Sequence, residues 1–170
     1  DDFQPWKPVF DIYILKEDEE RFKDILWLLM EVDYKLVRHE RRGLYVLERN
    51  GEYIKVFVLH KISSDVRHTG GSDFIHEKYL QNTVKWDFKG VMLNVPAEAD
   101  EYLAFQYGED WTTPKQTVFY KQSTISRYWH WGKTWIQDHL SDNIYYWWLL
   151  QHRQKDFRKF KTRCEKAGVP

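Results

Sequence analysis

The sequence has little cysteine, no excess of charge of either sign and no long apolar run. Cys164 is the only cysteine, which excludes an intrachain disulfide and a cysteine-built metal cluster. Acidic and basic residues balance at 26 each, so no global field attracts nucleic acid, and we expect no nucleic-acid partner. No apolar stretch approaches the roughly 20 residues of a membrane span, and no signal peptide is recognisable. We therefore expect no membrane anchor in this chain, and its start at Asp1 indicates a piece of a longer protein.

Aromatic residues, in contrast, are abundant. They make up 18% of the chain and include nine tryptophans. Such rings fill hydrophobic cores, and they also form surfaces on which sugars or bases stack. A length of 170 residues favours one domain with a substantial core.

Strands are predicted early in the chain and helices late. The apolar run 9–15 is typical of a buried strand, and Asn50-Gly51 between two apolar runs predicts a type I′ hairpin. Residues 63–72, with Gly70-Gly71, are predicted to form a loop, in which His68 and neighbouring His76 lie in solvent or on a mobile lid. Further strands are predicted at 34–39, 44–48, 53–59, 83–88 and 91–95, and helices at 17–32, 97–106, 127–140 and 141–167. This order predicts an α+β domain with a mixed sheet and flanking helices.

One stretch combines an apolar strand that ends at a proline, a short helix and a Tyr-Gly followed by an Asp-Trp turn. It resembles the core signature of the LicD/fukutin family. The residues that carry the resemblance are Phe88, Lys89, Gly90, Val91, Met92, Leu93, Asn94, Val95, Pro96, Glu101, Tyr102, Leu103, Tyr107, Gly108, Glu109, Asp110, Trp111 and Pro114.

The resemblance implies a nucleotidyltransferase-like fold and an enzyme that transfers a phospho-alcohol, such as phosphocholine or a sugar-alcohol phosphate, from a CDP-linked donor to a glycan. It implies Mg²⁺ or Mn²⁺ as cofactor and a Golgi lumen or a bacterial cell-envelope pathway as the setting. The family-like core would cover residues 1–125, and residues 126–170 would form a C-terminal helical extension packed on it.

A second segment is similar to the metal-binding strand of the same family. Pro5 and Trp6 match, and Asp11 matches an aspartate of that strand. Lys7 stands where an acid is expected, and the family's later acid falls at about Lys55. A charged lysine cannot ligate Mg²⁺, so two of the expected carboxylates are replaced by cations.

These residues leave several roles open. Asp11 is a candidate catalytic residue and metal ligand, assisted by Asp1, Asp2 or Glu48; alternatively, it is a leftover acid in a site that has lost its activity. Lys7 and Lys55 are candidates for direct contact with donor phosphates, as point charges. Trp6, Asp110 and Trp111 either border the acceptor site or belong to the structural core.

The last predicted helix is aromatic in its first half and basic in its second half. Trp147, Trp148 and their neighbours either pack on the sheet or form an interface between subunits, which would make the protein a homo-oligomer. The basic half is a third candidate, as a contact for an anionic partner or membrane surface. The interspersed Asp156 and Glu165 disfavour that use.

Two functions therefore compete. The first is the metal-assisted phosphotransferase, which requires Asp11 and a bound CDP-linked donor. The second is a non-catalytic member of the same fold, a pseudoenzyme that binds a glycan or a partner protein and regulates an active relative. The substituted acids favour the second function, and the family resemblance favours the first.

Overall fold

The computed structural model describes residues 9–71, 73–113 and 139–169. Within these ranges the strands are β1 (Val9–Leu15), β2 (Lys35–Glu40), β3 (Leu44–Arg49), β4 (Glu52–Lys61), β5 (Val66–His68), β6 (Phe74–His76), β7 (Thr83–Phe88) and β8 (Val91–Pro96). The helices are α1 (Glu19–Glu31), α2 (Lys78–Gln81), α3 (Ala99–Tyr107) and α4 (Asp142–Lys166), with a 3-10 turn at Lys16–Asp18.

Strand β4 lies at the centre of the main sheet. Strand β1 runs parallel to it on one edge, and β3 pairs antiparallel along the other edge. The sheet order is β2-β3-β4-β5-β6 with β1 added beside β4, while β7 and β8 form a separate two-stranded sheet. The sheet is therefore mixed, and the prediction of an α+β domain is confirmed.

Helix α1 covers one face of this sheet. Its apolar stripe, with Phe22 and Leu26, packs on Tyr45, Val56 and Val58. The Phe22 and Tyr45 rings meet edge-on with centroids 5.2 Å apart. Because side chains alternate along a strand, β1 and β4 present their other residues to the opposite face, away from α1.

The predicted turns have the expected backbone geometry. Asn50 and Gly51 have φ angles of 54° and 84°, and a type I′ turn requires positive φ at both positions. Helix α3 ends at Gly108, whose φ is 100°. The strands predicted at 83–88 and 91–95 are β7 and β8, with β8 one residue longer.

The loop predicted at 63–72 is wrong in part. Its residues 66–68 form β5, which pairs antiparallel with β6. His68 is 1% exposed and His76 is 6% exposed, so neither lies in solvent or on a mobile lid. Each strand has only three residues, which is too short to show a period of alternating polarity.

The second half of α4 packs on this short strand pair. Phe160 and Cys164 join Val66, Phe74 and Val169 in one buried cluster. Near the start of α4, Leu149 is buried and Trp147 is exposed, so the aromatic half divides between packing and solvent. The helix predicted at 127–140 falls almost entirely outside the described residues. None of the helices within those ranges is long and apolar enough to cross a membrane.

Candidate functional site

Asp11 and Lys55 lie side by side on the sheet face opposite α1. They are register partners on the parallel strands β1 and β4. Neighbouring strands are about 4.8 Å apart, so the two side chains start from adjacent positions on the same face. Asp11 is exposed and Lys55 is half-buried. The strand pairing thus brings together the candidate metal ligand and the candidate phosphate-binding lysine, which are 44 positions apart in the sequence.

The next pair on this face is aromatic. Tyr13 and Phe57 stack with ring centroids 5.7 Å apart and an interplanar angle of 25°. Tyr13 keeps 40% of its surface exposed. The face therefore carries a stacked aromatic pair, here called the Tyr13–Phe57 platform, directly beside the Asp11–Lys55 pair, and aromatic rings are groups on which a base or a sugar can stack.

Further polar groups act on Tyr13 from Tyr102 and Tyr107 of α3 and from Asp73, the residue before β6. Partial burial raises the pKa of Tyr13, and Tyr102, Asp73, Tyr107 and Asp11 raise it further in that order. Two carboxylates therefore act on one hydroxyl, Asp11 from β1 and Asp73 from the residue before β6.

The pKa of Tyr102 is also raised, to about 12, by burial and then by Tyr107, Asp73 and Tyr79. Both tyrosines therefore remain neutral hydrogen-bonding groups at neutral pH. Asp73 lies close to Gly70-Gly71 with no motif around it, so no signal in the sequence marks it as a site residue. The largely apolar character of residues 9–15 marks a strand there but does not identify Phe57 as the partner of Tyr13.

Some of the remaining predicted site residues lie outside the described residues, and the others form a turn after α3. Trp6 and Lys7 lie outside the described residues, as do Asp1 and Asp2. Asp110 and Trp111 form a turn after α3, in which the Trp111 backbone N–H donates to the Gly108 carbonyl over 3.0 Å. Trp111 is half-buried. Tyr107, at the end of α3, connects this turn to the surroundings of Tyr13.

Glu48 lies on the same sheet face but farther away. It pairs with Tyr53, and Tyr53 pairs with Val9, so β4 separates Glu48 from β1. Its carboxylate also accepts the Gly51 backbone N–H at 2.8 Å. In the part of the chain that the structure describes, no group of three or more His, Cys, Asp or Glu side chains is placed to hold a metal. Of the predicted acids, Asp11 and Glu48 are described and do not lie together, while Asp1 and Asp2 lie outside the described residues.

Buried ionisable groups lie at the other end of β4. Arg67 donates to both Glu17 carboxylate oxygens, over 2.7 and 2.9 Å, and to Glu77 over 2.7 Å. The hydrogen bond from Arg67 lowers the pKa of Glu17 to about 2. Because a buried cation requires such partners, this network explains how a charged residue occupies the middle of β5.

A pair of buried histidines lies next to that network. The His60 and His68 rings are 5.8 Å apart, and His68 Nδ1 accepts the Gly70 backbone N–H at 3.0 Å. His60 Nε2 lies 2.9 Å from the Arg42 carbonyl oxygen, to which its N–H donates. Burial lowers the pKa of His68 to about 4, with smaller effects from His60 and Arg153. Both rings are neutral at neutral pH, and their contacts are structural.

Comparison with known proteins leaves the chain without an assigned family. No family model matches it, and no curated protein matches it. The LicD/fukutin resemblance therefore rests on the residues of this chain, and its functional consequences are proposals.

Proposed function

We propose that this chain is a nucleotidyltransferase-like domain that transfers a phospho-alcohol from a CDP-linked donor to a glycan. The observation that carries the proposal is the register of Asp11 with Lys55 on β1 and β4. A carboxylate and an ammonium group at one level of one sheet face could contact a metal–diphosphate complex together, the first through the metal and the second through the phosphate oxygens. The parallel β1–β4 pair is the proposed counterpart of the family's catalytic strand and its neighbour.

Lys55 has the chemistry to bind the phosphate groups of the donor. Its ammonium group is a compact cation that contacts phosphate oxygens without needing a fixed hydrogen-bond plane. In the proposed complex it neutralises part of the donor diphosphate. This role explains a lysine at the position where the family resemblance leads one to expect an acid.

Asp11 supplies the carboxylate that would hold the metal in the proposed complex. Mg²⁺ is commonly held by one or two carboxylates together with substrate phosphates and water, so a single exposed aspartate suits a metal that arrives with the donor. When bound, Mg²⁺ or Mn²⁺ neutralises charge on the diphosphate. Asp11 positions that complex beside Lys55, and Asp73 is the other carboxylate whose charge acts on neighbouring Tyr13.

The proposed reaction forms one bond and breaks one. The glycan hydroxyl oxygen bonds to the phosphorus that carries the alcohol, the bond from that phosphorus to CMP breaks, and the hydroxyl proton passes to solvent. The Tyr13–Phe57 platform is placed to stack the cytosine ring or the acceptor sugar next to the phosphates.

Calorimetric titration with CDP-choline, with and without Mn²⁺, tests this proposal. We expect Mn²⁺-dependent binding to the intact chain that Asp11→Ala weakens at least about tenfold, which corresponds to about 1.4 kcal/mol. Glu52→Ala, on the same strand as Lys55 but at its exposed start, is the matched control and retains full affinity. Absence of CDP-choline binding to the folded chain would overturn the enzymatic function.

A second candidate function has an observation of its own. One face of the β7–β8 sheet consists only of apolar side chains, and Trp86 and Val91 in it are 52% and 58% exposed. The full set is Val84, Trp86, Phe88, Val91, Leu93 and Val95. Such a surface suits a non-catalytic module that binds a partner protein or a glycan. Binding of a glycan without any response to CDP-choline or Mn²⁺ would favour this function over the transferase.

A further inference from the structure

A groove lies between β6, the end of α3 and the second half of α4. Its volume is about 300 Å³, and it is lined by Phe74, Gln106, Asp156, Lys159, Phe160 and Arg163. None of these residues lies on β1 or β4. The volume is at the lower end of the range of small-molecule sites.

The floor of the groove is rigid and apolar. Phe74 and Phe160 are 4% and 5% exposed, and their ring centroids are 5.5 Å apart. Both belong to the buried cluster formed with Val66 and Cys164. A ligand in this groove would therefore contact aromatic rings that are already fixed by packing.

Two cations converge over this floor. Lys159 and Arg163 are four residues apart on α4, which places them on one face of the helix, where like charges repel. Arg163 lies 4.3 Å from the centre of the Phe105 ring and donates to the Gln106 side-chain oxygen over 3.2 Å. Both of these partners are neutral, and most of the guanidinium N–H donors remain for another acceptor.

The acids nearby do not compensate these two charges. Asp156 lies 3.7 Å from Arg153 and pairs with that residue. Throughout the described ranges, neither Lys159 nor Arg163 has a carboxylate within ion-pair distance. Two cations that have no ion-pair partner among the described residues, over an aromatic floor, match a ligand that carries two negative charges next to an apolar group.

We propose that this groove binds a phosphomonoester that carries an apolar or aromatic group. Arg163 would bind two phosphate oxygens with its planar fork, and Lys159 would contact the third as a point charge. The apolar group would lie on Phe74 and Phe160. None of the residues that line the groove is proposed to hold the donor, so this inference does not rest on the proposed function.

Titration of phenyl phosphate into the full chain, followed by ¹H–¹⁵N NMR, tests the inference. We expect shifts centred on residues 156–163 of α4 and on Gln106, and tighter binding than for inorganic phosphate, which cannot contact the rings. The variant Lys159→Ala/Arg163→Ala is expected to bind at least about tenfold more weakly. Both residues are exposed, so the variant should fold, which circular dichroism checks.

The matched control is Lys155→Ala/Lys166→Ala, which removes the same net charge from the same helix without changing a lining residue. Its affinity for phenyl phosphate should stay within about twofold of the unchanged chain, since these charges act only through screened distances. Equal losses in the two double variants would overturn the proposal, because binding would then follow the general charge of α4. Equal affinities for phenyl phosphate and inorganic phosphate would also overturn it. Asp11→Ala should leave binding unchanged, which separates this result from failure of the proposed transferase function.

Discussion

Replacing Gly43 by alanine is expected to lower the free energy of unfolding by about 3 kcal/mol. Gly43 has a φ of +88°, and an added Cβ would lie 2.5 Å from the Val58 Cβ and 2.8 Å from its Cγ2. Positive φ costs an L-residue about 1–2 kcal/mol, and forcing extra volume into a packed site costs about 1–3 kcal/mol more. Val58 is fully buried and its N–H donates to the Gly43 carbonyl over 2.7 Å, so it has little freedom to move away.

Gly51→Ala is the matched control for this prediction. Gly51 has nearly the same φ, +84°, but no atom lies within 4 Å of the position that its Cβ would take. Gly51→Ala should therefore lower the free energy of unfolding only by the cost of the positive φ, about 1–2 kcal/mol. Urea unfolding of both variants measures the difference. Equal losses would contradict the close approach of residue 43 to β4.

Mild acid is expected to destabilise the fold through His68. Its folded-state pKa of about 4 lies below the ordinary value of 6.5, so the unfolded chain takes up the proton first as the pH falls. The contribution of neutral His68 to the free energy of unfolding is fully present above pH 6.5 and is lost as the pH falls towards 4. At 1.36 kcal/mol per pH unit, we expect a loss of about 2 kcal/mol between pH 7.5 and pH 5. His60, whose pKa is also lowered by burial, adds to the loss.

The variant His68→Asn isolates this effect. Asparagine keeps an oxygen where His68 Nδ1 accepts the Gly70 N–H, but it does not titrate. We expect the variant to be less stable at pH 7.5 and to lose much less than the unchanged chain on going to pH 5. His152→Asn, at an exposed position of α4, should keep the full pH dependence of stability.

Measurements stay above pH 5 because Glu17, with its pKa of about 2, starts to contribute to the pH dependence below its ordinary value of 4.5. A titration of the His68 ring by NMR with a pKa near 6.5 would contradict the account.

Much of the fold follows from local signals in the sequence. The strand predicted at 9–15 is β1 to the residue, but the prediction that it is buried is wrong, because residues 10–13 are exposed; Asn50-Gly51 is the turn between β3 and β4. These signals are strong because a seven-residue stretch with six apolar or aromatic residues and a turn with two positive φ angles each have few alternatives. The short strands β5 and β6 gave no such signal. They are held by Arg67 pairing with Glu17 and Glu77, which are 50 and 10 positions away.

In the candidate site too, the sequence identifies single residues but not the contacts that bring them together. Asp11 and Lys55 were recognisable as single residues, but only the parallel pairing of β1 with β4 places them at one level. Asp73 and the Tyr13–Phe57 platform depend on contacts between distant segments. No local pattern predicts such contacts, because they arise from the pairing of β1 with β4 and from the positions of α3 and of the residue before β6 around Tyr13.

The measurement that tests the central claim most directly is a double-mutant cycle on CDP-choline affinity in the presence of Mn²⁺. It compares the unchanged chain with Asp11→Ala, Lys55→Ala and the double variant. If the two residues hold one metal–diphosphate complex, their effects couple by about 0.5–3 kcal/mol, and the double variant loses less than the sum of the single losses. Losses that add within about 0.5 kcal/mol, or affinity unchanged by either substitution, would contradict a shared donor site at the β1–β4 pair.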